Sequence, residues 1–160
     1  MLKIETGSEN QILRNKSVPA KSIDKEQLGL IKEMKETLIA EGGAGLAAPQ
    51  VGRNVRLILA NLSTLSKHKI VVMINPEIIS FSEESEIVEE GCLSLPDLFV
   101  QVERSTAITV KYLDEKGKEQ VKHLKGMNAR IVQHEIDHLD GVLICDFLST
   151  KSIAAPEKVN

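Results

Sequence analysis

The chain has 160 residues, 42% of them hydrophobic and 27% charged, with a formal net charge of -3. That length suits a single domain over 1–160 with a core large enough to fold alone. The mild negative charge lacks the basic footprint of a nucleic-acid binder, so no DNA partner is expected, and no apolar run approaches the roughly 20 residues of a membrane span.

In chain order, the opening MLKIETGSENQILR has neither the apolar stretch of a signal peptide nor the Arg/Ser-rich, acid-poor character of a transit peptide. A cytoplasmic protein is expected. Residues 25–41 (KEQLGLIKEMKETLIAE) place Leu28, Ile31, Met34, Leu38 and Ile39 at helical spacing, with Asp24 as N-cap and Gly42–Gly43 as terminator. GAGLAAPQVG follows as a tight, non-repetitive segment. Stretches rich in β-branched residues then predict strands over 55–62, 69–79, 86–94, 99–114 and 119–126, with a turn at Asp114–Gly117. A helix over 127–140 ends at Gly141, VLICDFL forms a short apolar segment, and the tail from Ser149 is polar and predicted to fray. One N-terminal helix, several strands and one C-terminal helix argue for an α+β fold, with antiparallel strands packed around the last helix.

That last helix carries QHEIDHLDG (133–141). His134 and His138 stand one turn apart on one face, roughly 6 Å from each other, and can point at one divalent ion. Glu135 projects about 100° further round, off the ion but within reach of a molecule beside it. Two imidazoles need a third ligand. No His follows His138, and Asp140, Asp146 and Glu157 lie in no convincing second helix. Cys92 in EEGCLSLP is the better choice, because a coordinated thiolate binds divalent metals strongly. Gly91 would let the backbone turn there and Pro96 would limit the strand. The competing reading of Cys92 is a buried apolar thiol; polar Glu89, Glu90 and Ser94 weaken it, whereas Cys145 among apolar neighbours fits it. Cys plus two His leaves one of four positions open, as in catalytic rather than structural sites. Nitrogen and sulfur ligands suit zinc and iron alike.

Three segments, GAGLAAPQ (43–50), EGCLS (90–94) and QHEIDHLDG (133–141), in this order and approximate spacing, resemble the peptide deformylases of bacterial type. The resemblance runs over nearly the whole chain. It implies a metal-dependent hydrolase that removes the formyl group from N-formyl-methionyl nascent peptides and releases formate. It implies Cys92, His134 and His138 as ligands, Glu135 as general acid/base, and the Gln50 amide and Leu93 N–H as donors to the reacting carbonyl oxygen. The implied ion is Fe2+ in the cell, replaceable by Zn2+, Ni2+ or Co2+. Charge building on the formyl oxygen fits those donors, and an amine leaving group fits an acid at Glu135. Gly43, Ala44 and Gly45 would let backbone approach the substrate. Met127, Ile131 and Leu93 are candidates for the methionine side-chain pocket, with ordinary core as the alternative. Gln133 and Asp137 flank the ligands and could orient them, and Glu90 is expected to pair with Arg104.

Three positions depart from the pattern. Phe99 stands where many bacterial members carry an arginine, Ala44 where a larger aliphatic residue is common, and the tail 149–160 is too short for a full ribosome-docking helix, so ribosome contact would be transient at most. Two other function classes compete: a structural metal staple, which needs neither Gln50 nor Glu135, and a general metallopeptidase, which would cleave unformylated peptides.

Overall fold

The structure, a computed structural model, describes residues 1–63 and 68–150. A short helix α1 (Gln11–Arg14) precedes α2 (Lys25–Glu41); seven strands follow, β1 (Gly45–Ala47), β2 (Leu57–Ser63), β3 (His68–Phe81), β4 (Ser85–Cys92), β5 (Leu95–Ser105), β6 (Ala107–Leu113) and β7 (Glu119–Lys125); α3 (Gly126–Leu139) comes last, before a 3-10 segment over Ile144–Thr150. The class is α+β as expected. Helix α1 is an addition: four residues are too few for a periodic signal, and it rests on Asn10, whose side chain accepts from the Ile12 N–H. The tail beyond residue 150, and with it the expectation about ribosome docking, lies outside the described residues. No helix among the described residues is long and apolar enough to cross a membrane.

Five strands form one antiparallel sheet in the order β1-β2-β3-β6-β7, and β4 with β5 forms a separate hairpin. Strand β2 reads LILANLS because both its faces are covered. Leu57 and Leu59 meet Ile31, Met34 and Leu38 of α2, while Ile58 and Ala60 meet Val132, Ile136 and Leu139 of α3. The two long helices thus lie on opposite faces of the larger sheet. Helix α2 is capped as predicted, with Asp24 accepting from Gln27 N–H and Gly42 left-handed at φ 64. Its inner face differs, however. Leu30, Ile31, Met34, Thr37 and Leu38 are buried, whereas Leu28 and Ile39 are exposed. Ile39 lies about 100° round from Leu38, which turns it off the sheet.

The predicted strand over 99–114 is two strands in two different sheets, broken at Thr106. Thr106 N–H donates to Glu84 O, and its own carbonyl accepts from Gly126 N–H, so the chain turns from hairpin to sheet there. GAGLAAPQVG also has more order than a plain tight segment: it is β1 followed by a 3-10 turn over Ala48–Val51. The hairpin packs on Leu13 of α1 and on Leu143 and Ile144 beyond α3, through Leu95, Val100 and Val102.

Candidate active site

Strand alternation aims β1. Leu46 faces α2, while Gly45 and Ala47 face α3. A Cβ at position 45 would run into the Glu135 carboxyl. Glycine is required there to admit the glutamate, a reason different from the expected approach to substrate. Glu135 is 4% exposed, and its Oε2 finds no protein partner among the described residues. Burial pushes its carboxyl up to about 7. A carboxyl this buried and raised, with an unpartnered oxygen, has the chemistry to exchange a proton with a molecule that enters the cavity.

The same alternation puts Glu90 and Cys92 two residues apart on β4, with a register shift between them. Cys92 ends the strand, and Leu93–Ser94 form the tight connection to Leu95. Gly91 is not left-handed, contrary to the expectation of a tight turn at that residue; its missing Cβ makes room for the Phe99 ring instead. Pro96 does not limit a strand but lies near the start of β5, where the missing N–H is tolerated.

Cys92, His134 and His138 present one ligand atom each, all within 4.8 Å of one another. Cys92 Sγ is 3.2 Å from His138 Nε2. The soft thiolate and two imidazoles are the donor set of a zinc or ferrous ion, and they converge with no fourth protein ligand among the described residues. The side chains therefore fit a divalent ion. His134 Nδ1 lies 2.9 Å from Glu90 Oε2. Burial would raise Glu90, but bonds from His134 and Arg104 hold its carboxyl down at about 2. A carboxylate only accepts, so Nδ1 carries the proton and Nε2 is left for the ion. Burial lowers His138 well below the usual imidazole range, which favours the neutral ligand form.

Gln50 is 2% exposed in the 3-10 turn behind Pro49. Its Oε1 accepts from Ala47 N–H at 2.9 Å, which orients Nε2 toward Ser94 Oγ at 3.2 Å and Cys92 Sγ at 3.6 Å. Ser94 was visible in EGCLS but unassigned from sequence; it orients Gln50. The expected Glu90–Arg104 pair is present and bidentate, at 2.6 and 3.0 Å. Asp137 reaches Arg104 at 2.8 Å rather than an imidazole. Gln133 orients no ligand: its amide donates to the Ser105 and Ala129 carbonyls. Cys145 is half-buried and accepts from Arg14 at 3.5 Å, so core packing describes it only in part.

A cleft of about 540 Å³ opens over these groups, bounded by Gly43, Ala44 and Gly45 on one bank and Gly91, Cys92 and Leu93 on the other. Met127 and Ile131 line it from α3, though Met127 is 61% exposed and so forms rim rather than floor. Phe99 is exposed and does not line the cleft.

The polypeptide deformylase family model matches residues 1–153. A peptide deformylase of Pseudothermotoga lettingae is 45% identical over 149 residues, covering 92% of this chain and 84% of the relative. A crystal structure of a probable peptide deformylase from Synechococcus phage S-SSM7 superposes with a TM-score of 0.85 at 42% identity, over 92% of this chain and 99% of that one. A Met-Ala-Ser-bound peptide deformylase of Acinetobacter baumannii superposes with a TM-score of 0.85 at 36% identity, over 91% and 97%. With the family model, the relatives and the geometry in agreement, this chain belongs to the polypeptide deformylases.

Proposed function

We propose that residues 1–160 act as one catalytic domain in which Glu135, Gln50 and the Leu93 N–H carry out the family's reaction, hydrolysis of the formyl amide of N-formyl-methionyl polypeptides to formate and a free amine. The observation that carries this reading is the buried, unpartnered Glu135 carboxyl beside the Cys–His–His set at the base of an open cleft.

Cys92, His134 and His138 hold the ion, which we take as Fe2+ in the cell. When bound, it supplies Lewis-acid chemistry: a more acidic water and a polarised formyl oxygen. Glu135 takes one proton from the attacking water. It delivers that proton to the amide nitrogen as the carbon–nitrogen bond breaks, because an amine anion is too poor a leaving group. A carboxyl near 7 both accepts and returns a proton at neutral pH. Gln50 Nε2 has two hydrogens, one directed at Ser94 Oγ and one at Cys92 Sγ; a Cys92 thiolate engaged by the ion would release the second to meet negative charge on the formyl oxygen. Leu93, in the turn after Cys92, offers its N–H to the same oxygen.

The peptide lies extended between two strand ends. β1 borders the larger sheet and β4 borders the hairpin, and both banks of the cleft come from the start of β1 and the end of β4 with the residues adjoining them; free edges of this kind bind a chain through its backbone. The methionine side chain rests against Ile131, Met127 and Leu93. The Met-Ala-Ser complex of the Acinetobacter relative supports a peptide with methionine first. We place this activity in the cytoplasm, with transient ribosome contact.

Anaerobically purified protein, followed by elemental analysis, is expected to release formate from formyl-Met-Ala and to leave unformylated Met-Ala-Ser intact. Glu135→Gln should keep its metal and lose turnover by roughly 10²–10⁴-fold. Unchanged deformylation in that variant sinks the assigned role, and cleavage of the unformylated peptide favours a general metallopeptidase.

A further inference from the structure

The ion's ligands come from two pieces of structure that share no strand pairing: Cys92 from the β4–β5 hairpin, and His134 and His138 from α3. Their convergence depends on what docks the hairpin to the helix. Arg130 lies one turn before His134 on α3, on the same face. Its Nη1 donates to Glu90 Oε1 at 2.8 Å and to Val102 O at 2.9 Å, and its Nη2 donates to Glu86 O at 2.6 Å. One buried guanidinium therefore ties α3 to both strands of the hairpin. Two of its bonds end on backbone, so it sets where the strands sit as well as where one side chain points. Glu90 passes the constraint to His134 Nδ1 at 2.9 Å. Arg104 makes the reciprocal tie from β5, but its link to α3 ends on Asp137, whose side chain is partly open to solvent.

We propose that Arg130 is a positioning residue for the metal centre: it holds Cys92 at coordination distance from the histidine pair. The proposal rests on the Cys92–His134–His138 reading above. The planar fork matters, because a lysine ammonium is a point charge that cannot span Glu90 and both carbonyls in one fixed plane.

Metal-stripped wild type, Arg130→Met, Arg130→Lys and Arg14→Met are titrated with Co2+, reading the thiolate-to-cobalt charge-transfer absorption and the dissociation constant. Arg14 is the control: it bonds Asp146 at 2.7 and 3.0 Å and also donates to Ser8 O, Gly141 O and Cys145 Sγ, but to none of Cys92, His134 and His138 and to neither strand of the hairpin. Arg130→Met is expected to bind Co2+ roughly 10–100-fold more weakly with a diminished thiolate band, Arg130→Lys to fall between it and wild type, and Arg14→Met to match wild type. A folded Arg130→Met within about twofold of wild type overturns the proposal, as does an equal loss in Arg14→Met. Should Arg130→Met not fold, Arg130→Lys decides by the same criterion. A wild type without any thiolate band rejects the metal-site reading itself and is thereby told apart from a failure of Arg130.

Discussion

Glu135 and Gly45 are fitted to each other across the sheet–helix contact. Gly45→Ala forces a methyl group against a buried carboxyl, and overpacking of this kind costs about 1–3 kcal/mol. The expected variant melts lower and releases formate more slowly while retaining its metal; a variant with wild-type turnover shows that the carboxyl has room to spare. Glu90 makes a different kind of contribution. Burial opposes its charge, but His134 and Arg104 overcome that and hold the carboxyl at about 2 against an ordinary 4.5. Its depressed value means that it stabilises the fold above pH 4.5 and loses that contribution as pH falls toward 2. Urea midpoints measured across this window on metal-stripped protein should therefore fall steeply for wild type and stay flatter for Glu90→Gln. Parallel curves count against a charged Glu90 in the fold.

At the level of elements, the short segments beside the hairpin matter most. Helix α1 abuts the end of α3, where Gly141 is left-handed at φ 73 and a Cβ would strike the Arg14 carbonyl. Gly141→Ala should lose roughly 1–2 kcal/mol from the backbone alone, plus the cost of moving α1; urea unfolding reads it, and an unchanged midpoint removes Gly141 from the docking of α1. The elements also show where sequence reading stops. Helix α2, its cap and the HEIDH helix are legible because their signals are local and periodic. The break at Thr106 is not, since both halves of 99–114 carry β-branched residues, Val100 and Val102 before it and Ile108, Thr109 and Val110 after it, and nothing local marks a change of sheet.

Over the whole molecule, an ion held as proposed by Cys92, His134 and His138 would clip the hairpin to α3 and so to the larger sheet. A ligand that binds only the folded state at 100 times its dissociation constant adds about 2.7 kcal/mol of stability. Chelation should accordingly lower the melting temperature, and amide exchange should quicken in β4–β5 before it does in β2 and β3. Uniform quickening across both sheets would mean that the metal does not join two separately loosened parts.

The meeting of Cys92 with His134 and His138, the glutamate beside them and the α+β class were readable from residue order, because one helical turn brings His134 and His138 together and because Cys92 and Glu135 sit in short, distinctive runs. Tertiary structure alone decided what holds those groups in place. Arg130 sits four residues from a ligand and reads as an ordinary helix charge, yet its partners are Glu86, Glu90 and Val102, between 28 and 44 residues away. Gly45 reads as loop, yet the side chain that requires it comes ninety positions later. Helical and strand periods constrain neighbours along the chain; which buried charge faces which carbonyl is set only when separate sheets and helices pack.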